Sequence, residues 1–151
     1  VSLLGDEHRR WIGHEDPPVH VEVSRRDIVK YALATEQRLE KYLRGDEAPP
    51  MFVFNLFGAL RPLDELREDG LPRGRSTGPA LPLKRVMAGG TELIQHRPIR
   101  PGDRLTATSR IVDLYEKSGA QGPLIFTVRS LRVVDASGAP VLEEIQTAIA
   151  R

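Results

Sequence analysis

Arg85-Val-Met-Ala-Gly-Gly-Thr-Glu-Leu-Ile-Gln-His-Arg-Pro-Ile-Arg-Pro-Gly-Asp-Arg-Leu105 is the stretch whose reading decides the fold. A small-Gly-Gly step at Ala88, Gly89 and Gly90 leads into a strand over 91–99. Pro101-Gly102-Asp103 then makes a tight turn into a second strand over 104–115. Without side chains, Gly89 and Gly90 can let backbone amides approach a ligand closely or adopt positive φ. His96 reads as structural or as a residue at a pocket rim, because no second group is placed by the sequence to orient it. Downstream, 124–135 and 140–150 read as further strands, separated by Ser118-Gly-Ala-Gln-Gly-Pro123 and Asp135-Ala-Ser-Gly138, turn compositions suited to antiparallel neighbours. The C-terminal half is predicted to be an antiparallel meander. In its last strand Val141, Glu143, Ile145, Thr147 and Ile149 alternate with Leu142, Glu144, Gln146 and Ala148, so one face is drier than the other.

Upstream, residues 61–83 carry Pro62, Gly70, Pro72, Gly74, Gly78, Pro79 and Pro82 and predict a long loop. Before it, Met51-Phe-Val-Phe-Asn-Leu-Phe-Gly-Ala-Leu60 is apolar almost all round, which reads as a buried helix or a buried strand. Gly45 to Pro50 form a break. Ser24 and Asp27 stand in the Ser-x-x-Asp relation that starts a helix, continued by Ile28, Val29, Tyr31, Ala32 and Leu33. Val19, Val21 and Val23 alternate as in a short half-buried strand. An apolar helix followed by a long antiparallel sheet with one dry face predicts an α+β fold in which each buries the other's apolar surface.

Composition narrows the function classes. The chain has 151 residues, 40% of them hydrophobic, as expected for one domain over 1–151. Lys and Arg total 22 against 21 Asp and Glu, a net charge of +1, so no nucleic-acid or membrane footprint is indicated. The absence of cysteine excludes disulfides, thiolate nucleophiles and Cys-ligated metals, and fits a cytoplasmic protein. The N-terminus carries acidic residues where a signal peptide needs an apolar stretch, and no run of about 18 apolar residues occurs. His14, Glu15, Asp16 and His20 offer imidazole and carboxylate ligands, but they read first as a polar loop, and no metal site is expected.

The segment 85–105 closely resembles the N-terminal, noncatalytic domain of MaoC-like dehydratases, the FAS1-like dehydratase region. In that family a small-Gly-Gly step leads into a strand ending His-Arg-Pro-Leu-x-x-Gly-Asp. Ala48-Pro49-Pro50-Met51-Phe52, Val112-Asp-Leu-Tyr-Glu-Lys-Ser-Gly119 and Val134-Asp-Ala-Ser-Gly138 extend the likeness over nearly the whole chain. The resemblance implies a hot-dog fold, an antiparallel sheet wrapped around a central apolar helix. It also implies an acyl thioester on coenzyme A or an acyl carrier protein as ligand, with no other cofactor. The expected substrate-binding residues are Pro50, Met51, Phe52, Met87, Ala88, Gly89, Gly90 and His96.

Catalytic members of the family hydrate 2-enoyl thioesters, or dehydrate 3-hydroxyacyl thioesters, with an Asp and a His in a Gly-Asp-x-Asn-Pro-x-His motif after the first helix. The corresponding stretch here is Ala34-Thr-Glu-Gln-Arg-Leu-Glu-Lys41, without Asn-Pro or His. Asp46 looks like a start of the motif, but position 51 is Met51, so Asp46 reads as a loop residue. Ala88 stands where many relatives carry His. No catalytic residue is therefore expected in this chain. The resemblance implies instead a substrate-holding subunit of a heteromeric (R)-specific hydratase or dehydratase, paired with a catalytic MaoC-like hot-dog chain in a homo- or hetero-oligomer. The alternatives are a self-sufficient hot-dog acyl-CoA thioesterase and a noncatalytic acyl-CoA-binding protein. Arg73, Arg75, Lys84 and Arg85 are candidates for coenzyme A phosphates, against a plain reading as solvated loop charges.

Overall fold

A computed structural model describes residues 2–54, 56–73 and 77–151. After a short N-terminal helix α1 (Asp6–Arg9) and strand β1 (Val19–Glu22), the longest helix, α2 (Arg25–Ala34), starts where the sequence predicts. The Ser24 hydroxyl accepts a hydrogen bond from the Asp27 amide at 3.0 Å, satisfying one of the free donors of the first turn. The helix ends with Glu36 in the left-handed region, at φ 53°, while the Gln37 amide donates back to the Ala32 carbonyl. A further single turn, α3 (Glu40–Leu43), follows.

Four long strands supply the rest: β2 (Val86–Gln95), β3 (Arg104–Gly119), β4 (Gly122–Val134) and β5 (Pro140–Ala150). With β1 they form one antiparallel sheet in the order β1-β3-β4-β5-β2. Strands β3 to β5 are the expected meander. Strand β2 departs from it: it pairs with β5 at the far edge, not with β3, so residues 96–103 cross the end of the sheet. Crossing three inter-strand intervals takes roughly 15 Å, which eight residues span easily.

The crossing is held by side chains of the His-Arg-Pro segment. Arg97 binds both carboxylate oxygens of Asp103, at 2.8 and 3.3 Å, and reaches Asp135 in the β4–β5 turn at 3.4 Å. Asp135 in turn accepts from the Ser137 hydroxyl, the Ser137 amide and the Ala139 amide, closing its own turn. Gly102, at φ 87°, donates its amide to the Val23 carbonyl and ties the crossing to the end of β1.

The predicted continuous element over 51–60 is corrected by the structure. A 3-10 turn, Pro50–Val53, is followed by irregular turns, so the sheet curves over α2 and this short turn instead of a single long apolar helix. Pro49 and Pro50 deny amide donors at the start, and Phe-Val-Phe followed by Gly58 and Pro62 gives low helix propensity. Phe52 and Val53 enter the core, where each contributes about 1.5–3 kcal/mol, while Phe54 and Leu60 are exposed. The core joins Ile28 of α2, Phe52 and Val53 to Leu105, Ala107, Val133 and Leu142 of the sheet. Among the described residues no helix is long and apolar enough to cross a membrane.

Candidate functional site

The eight residues expected to bind substrate fall in two places. Pro50, Met51 and Phe52 form the 3-10 turn, with Pro50 and Met51 exposed and Phe52 buried. The Phe52 ring meets Tyr31 of α2 edge to face at 5.7 Å, and burial pushes the Tyr31 phenol above its ordinary value. Met87, Ala88, Gly89 and Gly90 lie on β2, and His96 follows at an exposed bend, its amide donating to the Val141 carbonyl at 2.9 Å. None of the eight lines either the recess of about 700 Å³ beside the β3–β4 turn or the space of about 300 Å³ on the inner face of the sheet.

The two glycines have different reasons. The sheet register slips between Ala88 and Gly90, leaving Gly89 as the extra residue of a bulge. A Cβ at Gly89 would stand 2.9 Å from Ile149 Cγ1 and 3.0 Å from the Thr147 carbonyl oxygen, so packing on β5 requires glycine there. Gly90, at φ 157°, faces open space, and its backbone is the part of the pair that a ligand or another chain can approach. Strand β2 is an outer strand of the sheet, and nearly all of it is exposed, Val86, Met87 and Ile94 included. Beyond the bulge, residues 91–95 carry one charge, Glu92, and no proline, and leave that part of the edge open to pairing with another strand.

A recess of about 700 Å³ lies beside the β3–β4 hairpin, where Lys84 and Arg85 meet Arg151. Arg85 and Arg151 exchange backbone hydrogen bonds at 3.1 and 2.8 Å, which fixes the two cations side by side. Arg73 is held elsewhere, against the Leu66 carbonyl at 2.6 Å, and Arg75 and Asn55 lie outside the described residues. Of the three expected cations that are described, Lys84 and Arg85 stand together, joined by Arg151 from the far end of the chain, and Arg73 does not. Of the N-terminal candidates, His14 Nε2 and Asp16 Oδ1 stay 3.6 Å apart, with Asp16 also meeting Arg129 at 3.3 Å, while His20 meets Thr106 at 2.9 Å. Among the described residues no group of three or more His, Asp or Glu side chains is placed to hold a metal.

The inner face of the sheet carries a second space, about 300 Å³, that sequence reasoning missed. Val53, Phe57 and Leu131 give it apolar walls, while Ser109, Arg129, Glu144 and Gln146 line it with polar groups. Glu144 is only 3% exposed and is the one buried charged residue among those described. The row Leu142, Glu144, Gln146 is the less apolar of the two rows of β5, yet Leu142 and Glu144 of that row are both buried. Nothing in the local pattern marks Glu144, because its neighbours Leu131 and Leu93 come from β4 and β2 by register.

The family model described as FAS1-like, dehydratase domain region matches residues 10–144. A UPF0336 protein of Saccharopolyspora erythraea is 30% identical over 154 residues, covering 93% of this chain and 89% of its own. Mesaconyl-C(4)-CoA hydratase of Chloroflexus aurantiacus is 32% identical over 78 residues, 52% of this chain but only 28% of that enzyme. Among solved structures, the HadBC (3R-hydroxyacyl-ACP dehydratase) complex of Mycobacterium tuberculosis superposes with a TM-score of 0.66 at 19% identity, covering 93% of this chain and 97% of that one. At that identity the likeness establishes the fold, an antiparallel sheet curved over its helical segments in the hot-dog manner.

Proposed function

We propose, from the premise that the chain belongs to the FAS1-like dehydratase-domain family of MaoC-like hot-dog proteins, that it is the substrate-holding, noncatalytic subunit of a heteromeric enoyl-thioester hydratase or 3-hydroxyacyl-thioester dehydratase of (R) specificity. One observation carries this reading. Where catalytic relatives place Gly-Asp-x-Asn-Pro-x-His, this chain has Ala34-Thr-Glu-Gln-Arg-Leu-Glu-Lys41, the last residue of α2, a largely exposed link and the start of α3, with neither Asn-Pro nor His.

Hydration needs a base to deprotonate water for attack at C3, a proton delivered at C2, and a donor on the thioester carbonyl. A catalytic hot-dog partner supplies the Asp and His that do this. The present chain supplies a wall: Pro50, Met51 and Phe52 from the 3-10 turn, and Met87, Ala88, Gly89, Gly90 and His96 from β2 and the bend after it. The exposed β2 edge supports such a partnership, since a second sheet joined there would cover Met87 and Ile94 and complete a site between the halves. The names of the relatives support the reaction class and its carriers: one is a CoA-thioester hydratase, and another is a dehydratase complex acting on an acyl carrier protein. A self-sufficient thioesterase finds less support, because residues 51–60 contain no carboxylate.

The test follows enoyl absorbance with a panel of 2-enoyl-CoA thioesters, using this chain alone and then co-purified with a hot-dog chain that carries the Asp and His motif. Turnover only by the pair is expected. Robust turnover by this chain alone overturns the reading.

A further inference from the structure

We infer that the inner-face cavity lined by Val53, Phe57 and Gly58 is a subsite for a hydroxyl group on the far part of a short acyl chain, with Glu144 as its acceptor. The inference rests on the thioester-holding reading for the identity of the chain that enters, but the cavity itself is built from residues outside the eight assigned to that reading.

Glu144 is the observation that needs explaining. Its side chain is buried, its Oε1 accepts from Gln146 Nε2 at 2.8 Å, and no other donor among the described residues reaches its carboxylate. A buried carboxylate with one hydrogen bond is costly, and a leucine in the same place would pack against Leu131 and Leu93 at no such cost. Glu144 is one of the residues lining an open volume of about 300 Å³. At about 30 Å³ per water-sized group, that volume takes roughly ten such groups, enough for a six-carbon chain and a terminal hydroxyl.

The lining also sets the charge of the occupant. Arg129 stands across from Gln146 in the register, diagonal to Glu144, and is tied to Asp16 and to the Thr77 carbonyl. A cationic group would be opposed by Arg129 and an anionic group by Glu144. A neutral hydroxyl can donate to Glu144 while accepting from Gln146, Ser109 or Arg129, and the apolar wall of Val53 and Phe57 suits the methylenes that lead to it.

The experiment measures binding of hexanoyl-CoA and 6-hydroxyhexanoyl-CoA by calorimetry to the wild type, to Glu144→Gln and to Glu144→Leu. A separate titration uses hexan-1-ol, followed by amide shifts of Ser109, Leu131 and Glu144. The wild type is expected to prefer the hydroxylated thioester about tenfold or more, the worth of a hydrogen bond to a charged acceptor. Glu144→Leu is expected to reverse the order of the two ligands. Its thermal midpoint, expected at or above that of the wild type, shows that the fold is kept. Equal affinity for the two thioesters, unchanged in both variants, overturns the subsite and leaves the thioester reading intact. If neither thioester binds while hexan-1-ol shifts the three amides in the wild type and not in Glu144→Leu, the subsite stands and the thioester reading falls. No response to any of the three ligands overturns both.

Discussion

Arg97 holds Asp103 in a two-pronged ion pair, at 2.8 and 3.3 Å, across the turn that lets β2 leave its sequence neighbour β3 and join the opposite edge of the sheet. Both partners are partly buried, and the same guanidinium reaches Asp135. The most family-specific stretch of the sequence therefore includes a structural brace as well as a candidate binding surface.

Removing the brace should cost stability without altering the sheet. Arg97→Ala leaves two carboxylates without their cation and is expected to destabilise the chain by about 1–3 kcal/mol, the range for charge-assisted hydrogen bonds. Arg97→Lys should fall between, because an ammonium cannot span both oxygens of Asp103 as the fork does. Urea midpoints of the three proteins measure the order directly, and Arg97→Lys equal to the wild type would contradict it.

Acid should unfold the chain through identifiable carboxyls. The Ser137 hydroxyl, then the Ser137 and Ala139 amides, hold Asp135 below its ordinary value. The Ser2 hydroxyl and the Leu3 and Leu4 amides do the same for Glu116, and Arg25 followed by Arg44 for Asp46. Each carboxyl binds its proton less readily folded than unfolded. Its stabilisation is thus fully present above the ordinary carboxylate pKa and is lost as pH falls through the lower folded value. Stability is expected to be level with respect to these groups from neutral pH to about 5 and to decline below about 4. Asp135→Asn should flatten that decline in urea titrations repeated at each pH, and an unchanged slope would remove Asp135 from the account.

Glu36 is the one non-glycine residue with positive φ among those described, at 53° just past the end of α2. A side chain in that region costs roughly 1–2 kcal/mol, part of which glycine returns as unfolded-state entropy. Glu36→Gly is expected to stabilise the chain by about 0.5–1 kcal/mol, raising the thermal midpoint by about 2–4 °C per kcal/mol. A lowered midpoint would mean that the Glu36 side chain makes a contribution that its exposed position does not reveal.

What the sequence disclosed depended on how local the cause was. Ser24 and Asp27 are three residues apart, and their cap is present as read; Pro140 to Ala150 alternates over its own length and is a strand to the residue. The Phe-rich segment misled because its apolarity reports burial against a remote surface, while the prolines and Gly58 decide its backbone. The meander was legible for β3 to β5, whose turns are short. The partner of β2 was not, since the eight-residue crossing leaves either edge within reach. Glu144 was invisible for the same reason: its burial is made by β4, β2 and the 3-10 turn, and a glutamate in a strand carries no mark of which way it faces.

The exposed edge offers the last and most direct check on the proposed partnership. Met87 and Ile94 are 40% and 39% exposed on β2, so a lysine at either place can reach solvent in the chain alone and should change its stability by no more than about 0.5 kcal/mol. Against a partner sheet the same ammonium would be desolvated without a counter-ion, which costs several kcal/mol. Met87→Lys and Ile94→Lys are therefore expected to leave the thermal midpoint of the isolated chain nearly unchanged. Both should abolish co-purification with the catalytic hot-dog chain and, with it, enoyl hydration by the pair. A lysine that leaves co-purification and turnover intact would place the partner on another face, with β2 left as an uncovered edge.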